Sequence, residues 1–146
     1  MPLEPDAKAL EGLASEARQQ GYRFMDRLIQ DARTNKNRFT GDGERFLGVF
    51  LDGKLVGCGG INRDPFTTEP VGRLRRLFVS SSCRRNGVAT RLVRELLRQS
   101  AAHFPTVRLR AADNGASDFF LRLGFSRIND DQATHSIKIQ SQFAGI

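Results

Sequence analysis

A mixed α+β domain is predicted for this chain, with a central twisted, mostly antiparallel sheet flanked by about four helices. Three observations predict it. Apolar residues recur at helical three-to-four spacing in several separate segments, and between these segments the period changes to short β-leaning runs. In addition, a strand, a helix and a strand follow one another between residues 73 and 111, which implies a right-handed crossover joining two parallel strands. The 146 residues, 39% of them hydrophobic, suffice for one domain spanning 1–146 that buries roughly two thirds of its unfolded surface.

Residues 6 to 20 put Leu10, Leu13, Ala14 and Ala17 on one helical face, with Asp6 as a cap after Pro5 and Gly21 as the stop. A second helix is expected from Tyr22 to Ala32, through Phe24, Met25, Leu28 and Ile29. Arg33 to Glu44 is polar, ends in Gly41-Asp42-Gly43, and reads as an exposed, mobile loop. Arg45 to Leu51 and Lys54 to Asn62 are strands joined by Asp52-Gly53, a hairpin signal. Residues 63 to 72 form a second loop, and Arg73 to Val79 a strand that Ser80-Ser81-Ser82 ends. A helix follows from Gly87 to Ser100, with Val88, Leu92, Val93, Leu96 and Leu97 facing inward. Thr106 to Ala111 is the next strand, and Ser117 to Leu123 a short helix stopped by Gly124. Phe125 to Ile128 and Thr134 to Ile139 close the order as a strand pair, and residues 140 to 146 form a tail.

The composition excludes collagen, coiled coil and intrinsic disorder. No apolar run approaches the ~20 residues of a membrane span, and the early Glu4, Asp6 and Glu11 are unlike a secretory signal, so no membrane role is expected. Cys58 and Cys83 build neither a disulfide framework nor a zinc spacing, which suggests a reducing, cytoplasmic setting and no metal. The net charge is +7, but residues 73 to 98 hold eight arginines and one acid, leaving 15 basic and 15 acidic residues elsewhere. The basicity is therefore a local anion site rather than a coat for nucleic acid.

Arg84-Arg85-Asn86-Gly87-Val88-Ala89-Thr90 lies between a strand and a helix. A helix start presents unpaired N–H groups and partial positive charge, and Gly87 and Ala89 keep the approach free of bulk. Arg84 and Arg85 add charge-assisted contacts, so the segment suits a phosphate. It matches neither the Walker A nor the Rossmann pattern, and Gly57-Cys58-Gly59-Gly60 lies inside a strand and opens no helix.

Taken with Leu74-Arg75-Arg76-Leu77-Phe78-Val79 before it, and with Asn114 and Phe119-Phe120-Leu121-Arg122-Leu123-Gly124-Phe125 after it, this segment resembles the GNAT superfamily of acyl-CoA-dependent N-acetyltransferases. The resemblance covers roughly residues 45 to 139, and the two earlier helices also fit. The family's first strand is reduced to a stub at Met1-Pro2-Leu3. A GNAT-like fold implies one splayed parallel strand pair, with acetyl-CoA as acyl donor. It implies that the pyrophosphate of coenzyme A sits on Arg84 through Thr90, that is on Arg84, Arg85, Asn86, Gly87, Val88, Ala89 and Thr90. Pantetheine would run beside Leu77, Phe78 and Val79, where a backbone N–H near Phe78 or Val79 polarises the thioester carbonyl. Asn114 would contact the pantetheine arm or orient the strand end, and Phe120 could touch the donor. An amine would attack directly, with no covalent enzyme intermediate.

The chain departs from the pattern twice. Phe120 stands where the family often has a proton-donating tyrosine, and Arg73 where many relatives carry a glutamate base. The named base candidates are His135, which titrates in the useful range, and Glu69, with Asp64 and Glu44 beside them. The bland alternatives are a structural strand histidine and solvated loop charges. The resemblance places acceptor contacts in the loop 33 to 44 and the final hairpin. Arg91, Arg94 and Arg98 read as a solvated stripe, and strand alternation puts Arg73 and Arg75 on one face and Arg76 on the other. Cys83, beside two arginines, is a reactive thiol or an inert one. The expected function is transfer of an acetyl group from acetyl-CoA to a primary amine, by a monomer or homodimer. The alternatives are a coenzyme A-binding regulatory protein without turnover and a basic nucleic-acid-binding module, the latter opposed by the neutral remainder and few aromatics.

Overall fold

The computed structural model describes residues 1–84 and 86–139; Arg85 and the tail expected at 140–146 lie outside the described residues. Helices α1 (Leu10–Gln19) and α2 (Phe24–Arg33) come first, followed by the hairpin β1 (Arg45–Leu51) and β2 (Lys54–Arg63) and by β3 (Val71–Val79). After a 3-10 turn at Ser81–Cys83 come α3 (Val88–Ser100), β4 (Thr106–Leu109), α4 (Asn114–Arg122), β5 (Ser126–Arg127) and β6 (His135–Lys138). The strands form one six-stranded sheet in the order β1-β2-β3-β4-β6-β5, and within it only β3 and β4 pair in parallel. This is the mixed, mostly antiparallel architecture that the element order predicts. Asp52 and Gly53 both take positive φ, 52° and 77°, the type I′ turn that matches strand twist.

Both faces of the sheet are covered. Leu10, Leu13, Met25 and Leu28 of α1 and α2 pack on Phe46, Cys58 and Phe78, whereas Leu92, Val93 and Leu96 of α3 pack on Leu47, Ile61 and Leu74 from the other side. Burial on both faces explains why β2 is buried without a break from Leu55 to Asn62. Its glycines provide clearance: a Cβ on Gly60 would stand 2.5 Å from the Phe39 ring and 2.9 Å from the Arg45 carbonyl. Gly60→Ala is therefore expected to lower stability by about 1–3 kcal/mol through overpacking, read as a shifted urea midpoint. Gly12→Ala, on α1 with open space at its Cβ, should carry no such penalty.

Several boundaries differ from expectation for tertiary reasons. Asp6 caps nothing, because Arg38 draws it away: Nη1 donates to Asp6 at 3.1 Å and Nη2 to Glu4 at 2.9 Å, and α1 starts only at Leu10. The loop 33 to 44, expected to be exposed and mobile, is tied down. Phe39 is buried with its ring 5.1 Å from Phe46, and the Asn37 and Asn62 amides exchange hydrogen bonds of 2.8 and 3.0 Å. Helix α4 begins three residues early because Asp113 caps it, accepting from the Ala116 N–H at 2.8 Å. The N-terminal stub adds an antiparallel edge to β1, with Leu3 donating to the Phe46 carbonyl and Gly48 to that of Met1. Among the described residues no helix is long and apolar enough to cross a membrane.

Asp64 also departs from expectation. Far from being a solvated loop charge, its side chain is fully buried where β3 and β4 meet, accepting from Arg108 Nε at 2.9 Å, Arg73 Nη1 at 3.4 Å and the Phe66 N–H at 2.8 Å. Burial alone would raise its pKa, but the Arg108 hydrogen bond, the Phe66 N–H and the charges of Arg108 and Arg73 together hold the carboxyl below its ordinary range.

Candidate active site

Strands β3 and β4 are joined for only three residue pairs, Val71 with Thr106, Gly72 with Val107 and Arg73 with Arg108. Beyond Arg73 they diverge, and the opening is a cleft of about 640 Å³. Leu74, Leu77 and Val79 line one side of it, Leu109, Ala111 and the start of α4 the other.

A β-bulge shapes the β3 wall. Between the pairs Cys58–Phe78 and Gly60–Arg75, β2 has one residue, Gly59, where β3 has two, Arg76 and Leu77. Arg76 absorbs the mismatch at φ 60°, a left-handed conformation that costs a non-glycine residue on the order of 1 kcal/mol. The bulge overturns simple alternation. Arg76 faces α2, where Asp31 lies 3.8 Å away, while Leu77 packs with the α3-side core beside Leu74. Arg76 thus shares the side of Arg75 instead of opposing it.

The bulge also fixes the main chain. Ser80 donates to the Val56 carbonyl at 2.8 Å, so Phe78 and Ser80 direct their main-chain groups at β2. By alternation the Val79 N–H points away from β2, toward the cleft; the Val79 carbonyl, on the same side, accepts from Arg84 Nε at 3.2 Å.

At the cleft's mouth α3 begins on Gly87, which takes φ 76° with no side-chain cap. Its first-turn N–H groups are therefore open to an anion. Val88 turns inward against Val56, Val79 and Cys83, which anchors the helix start; Cys83 is buried there and is not an exposed nucleophile. Arg84 lines the cleft, but its guanidinium also donates to Gln20 at 2.8 Å and stacks 5.6 Å over Phe78. Ser80 Oγ and the Ser81 N–H both donate to Glu16, tying α1 to the same turn.

A family model for the acetyltransferase (GNAT) family matches residues 10–125. The chain belongs to the GNAT acetyltransferase family. Solved structures agree in fold. A candidate acetyltransferase from Exiguobacterium sp. 255-15 is 22% identical with a TM-score of 0.77, covering 86% of this chain and 82% of that one. A GNAT-family acetyltransferase from Staphylococcus aureus Mu50 is 15% identical with a TM-score of 0.72, covering 91% and 92%. An aminoglycoside 6′-N-acetyltransferase complexed with coenzyme A is 18% identical with a TM-score of 0.65, covering 88% and 84%. Among curated proteins none matches.

Within this GNAT domain the residues named from sequence are distributed unevenly. Leu77, Phe78, Val79, Arg84, Ala89 and Phe120 line the cleft; Asn86 and Gly87 are exposed just before α3, Asn86 lining a separate pocket against β1, and Thr90 is half-buried in the first turn of α3. Asn114 is the exposed first residue of α4, and its neighbours Asp113 and Gly115 line the cleft instead. Arg85 lies outside the described residues. Neither base candidate reaches the cleft lining. Both ring nitrogens of His135 are engaged, Nε2 with Ser117 Oγ at 2.9 Å and Nδ1 with Thr134 Oγ1 at 2.7 Å. Burial, helped by Arg127, holds its pKa below the ordinary value, so the ring is a neutral tie between β6 and α4. Glu69 is exposed in the loop before β3, and Glu44 accepts from the main-chain N–H groups of Gly41 and Arg63.

Tyr22, Phe24, Arg76 and Arg110 are among the cleft residues that escaped the sequence reading. Tyr22 and Phe24 sit at the α1–α2 junction with rings 6.4 and 6.0 Å from that of Phe78. Gly21, at φ 87°, makes the turn that delivers them, and it was the one available signal. Among the described residues, the charged ones lining the cleft are Arg76, Arg84, Arg110 and the capping Asp113.

Proposed function

We propose that the protein transfers an acetyl group from acetyl-CoA to a primary amine by direct attack in a ternary complex. The observation that carries this reading is the β3–β4 splay, with the Val79 N–H turned into it and an uncapped helix start at its mouth. The pyrophosphate sits against the α3 N-terminus at Asn86 to Thr90, with Arg84 beside it, and pantetheine follows Leu77 to Val79. Phe120 belongs to the opposite wall, and Asn114 stands exposed beside it at the start of α4.

The amine nitrogen adds to the acetyl carbon and gives a tetrahedral oxyanion that the Val79 N–H stabilises; collapse of that oxyanion breaks the carbon–sulfur bond. The ammonium proton leaves to water, since Asp113, the one carboxylate lining the cleft among the described residues, is engaged as a cap. Coenzyme A departs as a thiolate, tolerable for a thiol of pKa ~8.5 without a tyrosine at position 120. Two buried, unpaired cysteines fit a reducing, cytoplasmic setting, with the protein acting as a monomer or homodimer. A coenzyme A-binding regulatory role is the second reading, favoured by Phe120 and the absence of an uncommitted carboxylate in the lining.

Calorimetry at ~0.15 M salt with acetyl-CoA, coenzyme A and a short DNA duplex, followed by a thiol-release screen of amines, separates these readings. The expected result is one-to-one micromolar acetyl-CoA binding and turnover. With no side-chain base, kcat/KM should rise about tenfold per pH unit up to the pKa of the amine itself. Binding without turnover would favour the regulatory reading, and salt-sensitive DNA binding alone would end both.

A further inference from the structure

Arg76 has an environment that the donor does not explain. Its side chain is only 13% exposed, yet it makes no hydrogen bond to any described residue. Its nearest carboxylate, Asp31 of α2, stands 3.8 Å away, beyond hydrogen-bonding distance. None of its nitrogens is both sealed from solvent and unpartnered, so the guanidinium opens onto the cleft it lines.

Its electrostatic surroundings lack an anion. Burial and the neighbouring Arg75 both disfavour the charge on Arg76, Asp31 favours it, and Arg27 disfavours it again. Arginine stays protonated regardless, so three cations here face one carboxylate. A buried or half-buried guanidinium with unused donors binds best to a planar or tetrahedral oxyanion.

Position decides whose oxyanion that is. Three residues of strand, about 10 Å, separate Arg76 from Val79 and the phosphate-binding loop beyond it, so the pyrophosphate has no call on it. It is adjacent instead to Leu77 and Phe78, the stretch of strand that pantetheine follows toward the Val79 N–H in the proposed complex, and it faces α2 while α4 and Phe120 close the other wall. A molecule entering beside Tyr22 and Phe24 brings its amine toward the thioester and its remainder against Arg76.

We propose that the acceptor is a small primary amine carrying its own oxyanion, a carboxylate or a phosphate, which Arg76 holds through its guanidinium fork. The inference rests on the transferase reading above. Polycationic amines are disfavoured, since Arg76, Arg75 and Arg27 repel them.

Matched acceptors test this in the wild-type protein. Thiol release from acetyl-CoA is compared for β-alanine against β-alaninamide, and for O-phosphoethanolamine against ethanolamine, with spermidine as the polycation. The oxyanion member should have the higher kcat/KM by roughly 10- to 100-fold, the worth of a charge-assisted contact. Which pair shows the larger ratio identifies carboxylate or phosphate. Arg76→Gln should bring the ratio toward one, mainly through KM; Arg76→Lys, which keeps the charge but loses the fork, should retain part of it. Should Arg76→Gln fail to give a cooperative melt, the wild-type ratio and Arg76→Lys still decide. Equal or better turnover of the neutral amines or spermidine, or a ratio unchanged in Arg76→Gln, overturns the inference while leaving the transferase reading intact. Acetyl-CoA binding with no thiol release from any acceptor overturns that reading, and this inference with it.

Discussion

Asp64→Ala is expected to lower folding stability by about 3–5 kcal/mol, or roughly 10–20 °C in Tm. The loss does not come from the carboxylate alone. Removing it leaves Arg73 and Arg108, both largely buried, without their shared counter-charge, and Arg108 keeps only Asp130, 3.2 Å away, as an ion-pair partner. The acid dependence has a definite sign. The carboxyl of Asp64 is held below its ordinary range in the fold, so its contribution is complete above the unfolded value near pH 4 and is withdrawn as acid protonates the folded carboxyl. The gap between wild type and Asp64→Ala should accordingly be constant through neutral pH and narrow in strong acid. Thermal melts across that range check it, and a gap that widened in acid would contradict the pairing.

Gly87→Val should weaken acetyl-CoA binding on the order of 100-fold or more, measured by calorimetry. Two effects combine. The left-handed φ of 76° is strained for a β-branched residue, and the added methyl groups project where the α3 N–H groups would meet the pyrophosphate. Losing two charge-assisted contacts at about 1.5–3 kcal/mol each accounts for the magnitude. Strain alone is separable from occlusion, because Gly53 in the hairpin turn has nearly the same φ, 77°, and also has open space at its Cβ. Gly53→Val should match the Tm loss of Gly87→Val while keeping acetyl-CoA affinity. Equal loss of affinity in both variants would mean that the effect is strain and that the loop is not a phosphate seat.

These two positions show what could be read from the chain and what could not. Gly87 was legible because its neighbours in sequence are also its neighbours in function: a strand, a short loop and a helix start are local. The same locality made the Asp52-Gly53 turn and the α3 stripe of Leu92, Val93 and Leu96 legible. Asp64 was not, since its partners Arg73 and Arg108 arrive from two strands that only the parallel crossover brings together. Asp6 misled for the mirror reason, a good local cap captured by a distant Arg38. Arg76 shows the strictest limit: strand alternation gives its side only if no bulge intervenes, and the residue that signals one, Gly59, lies on the partner strand. His135 was the right residue type in the wrong place, its ring committed to Ser117 and Thr134.

The short junction between β3 and β4 is a narrow main-chain seam in a sheet whose two sides are otherwise held together by one shared core. The β1–β3 block is laced by long antiparallel ladders, whereas β4 to β6 has ladders of at most four pairs and joins the first block's main chain through three. Local opening is therefore expected to begin on the β4–β6 side, read as faster amide hydrogen exchange there than in β1–β3. A donor bound across the splay as proposed would touch both sides at once, so acetyl-CoA should slow exchange on the β4–β6 side most, fastening it to the rest of the sheet.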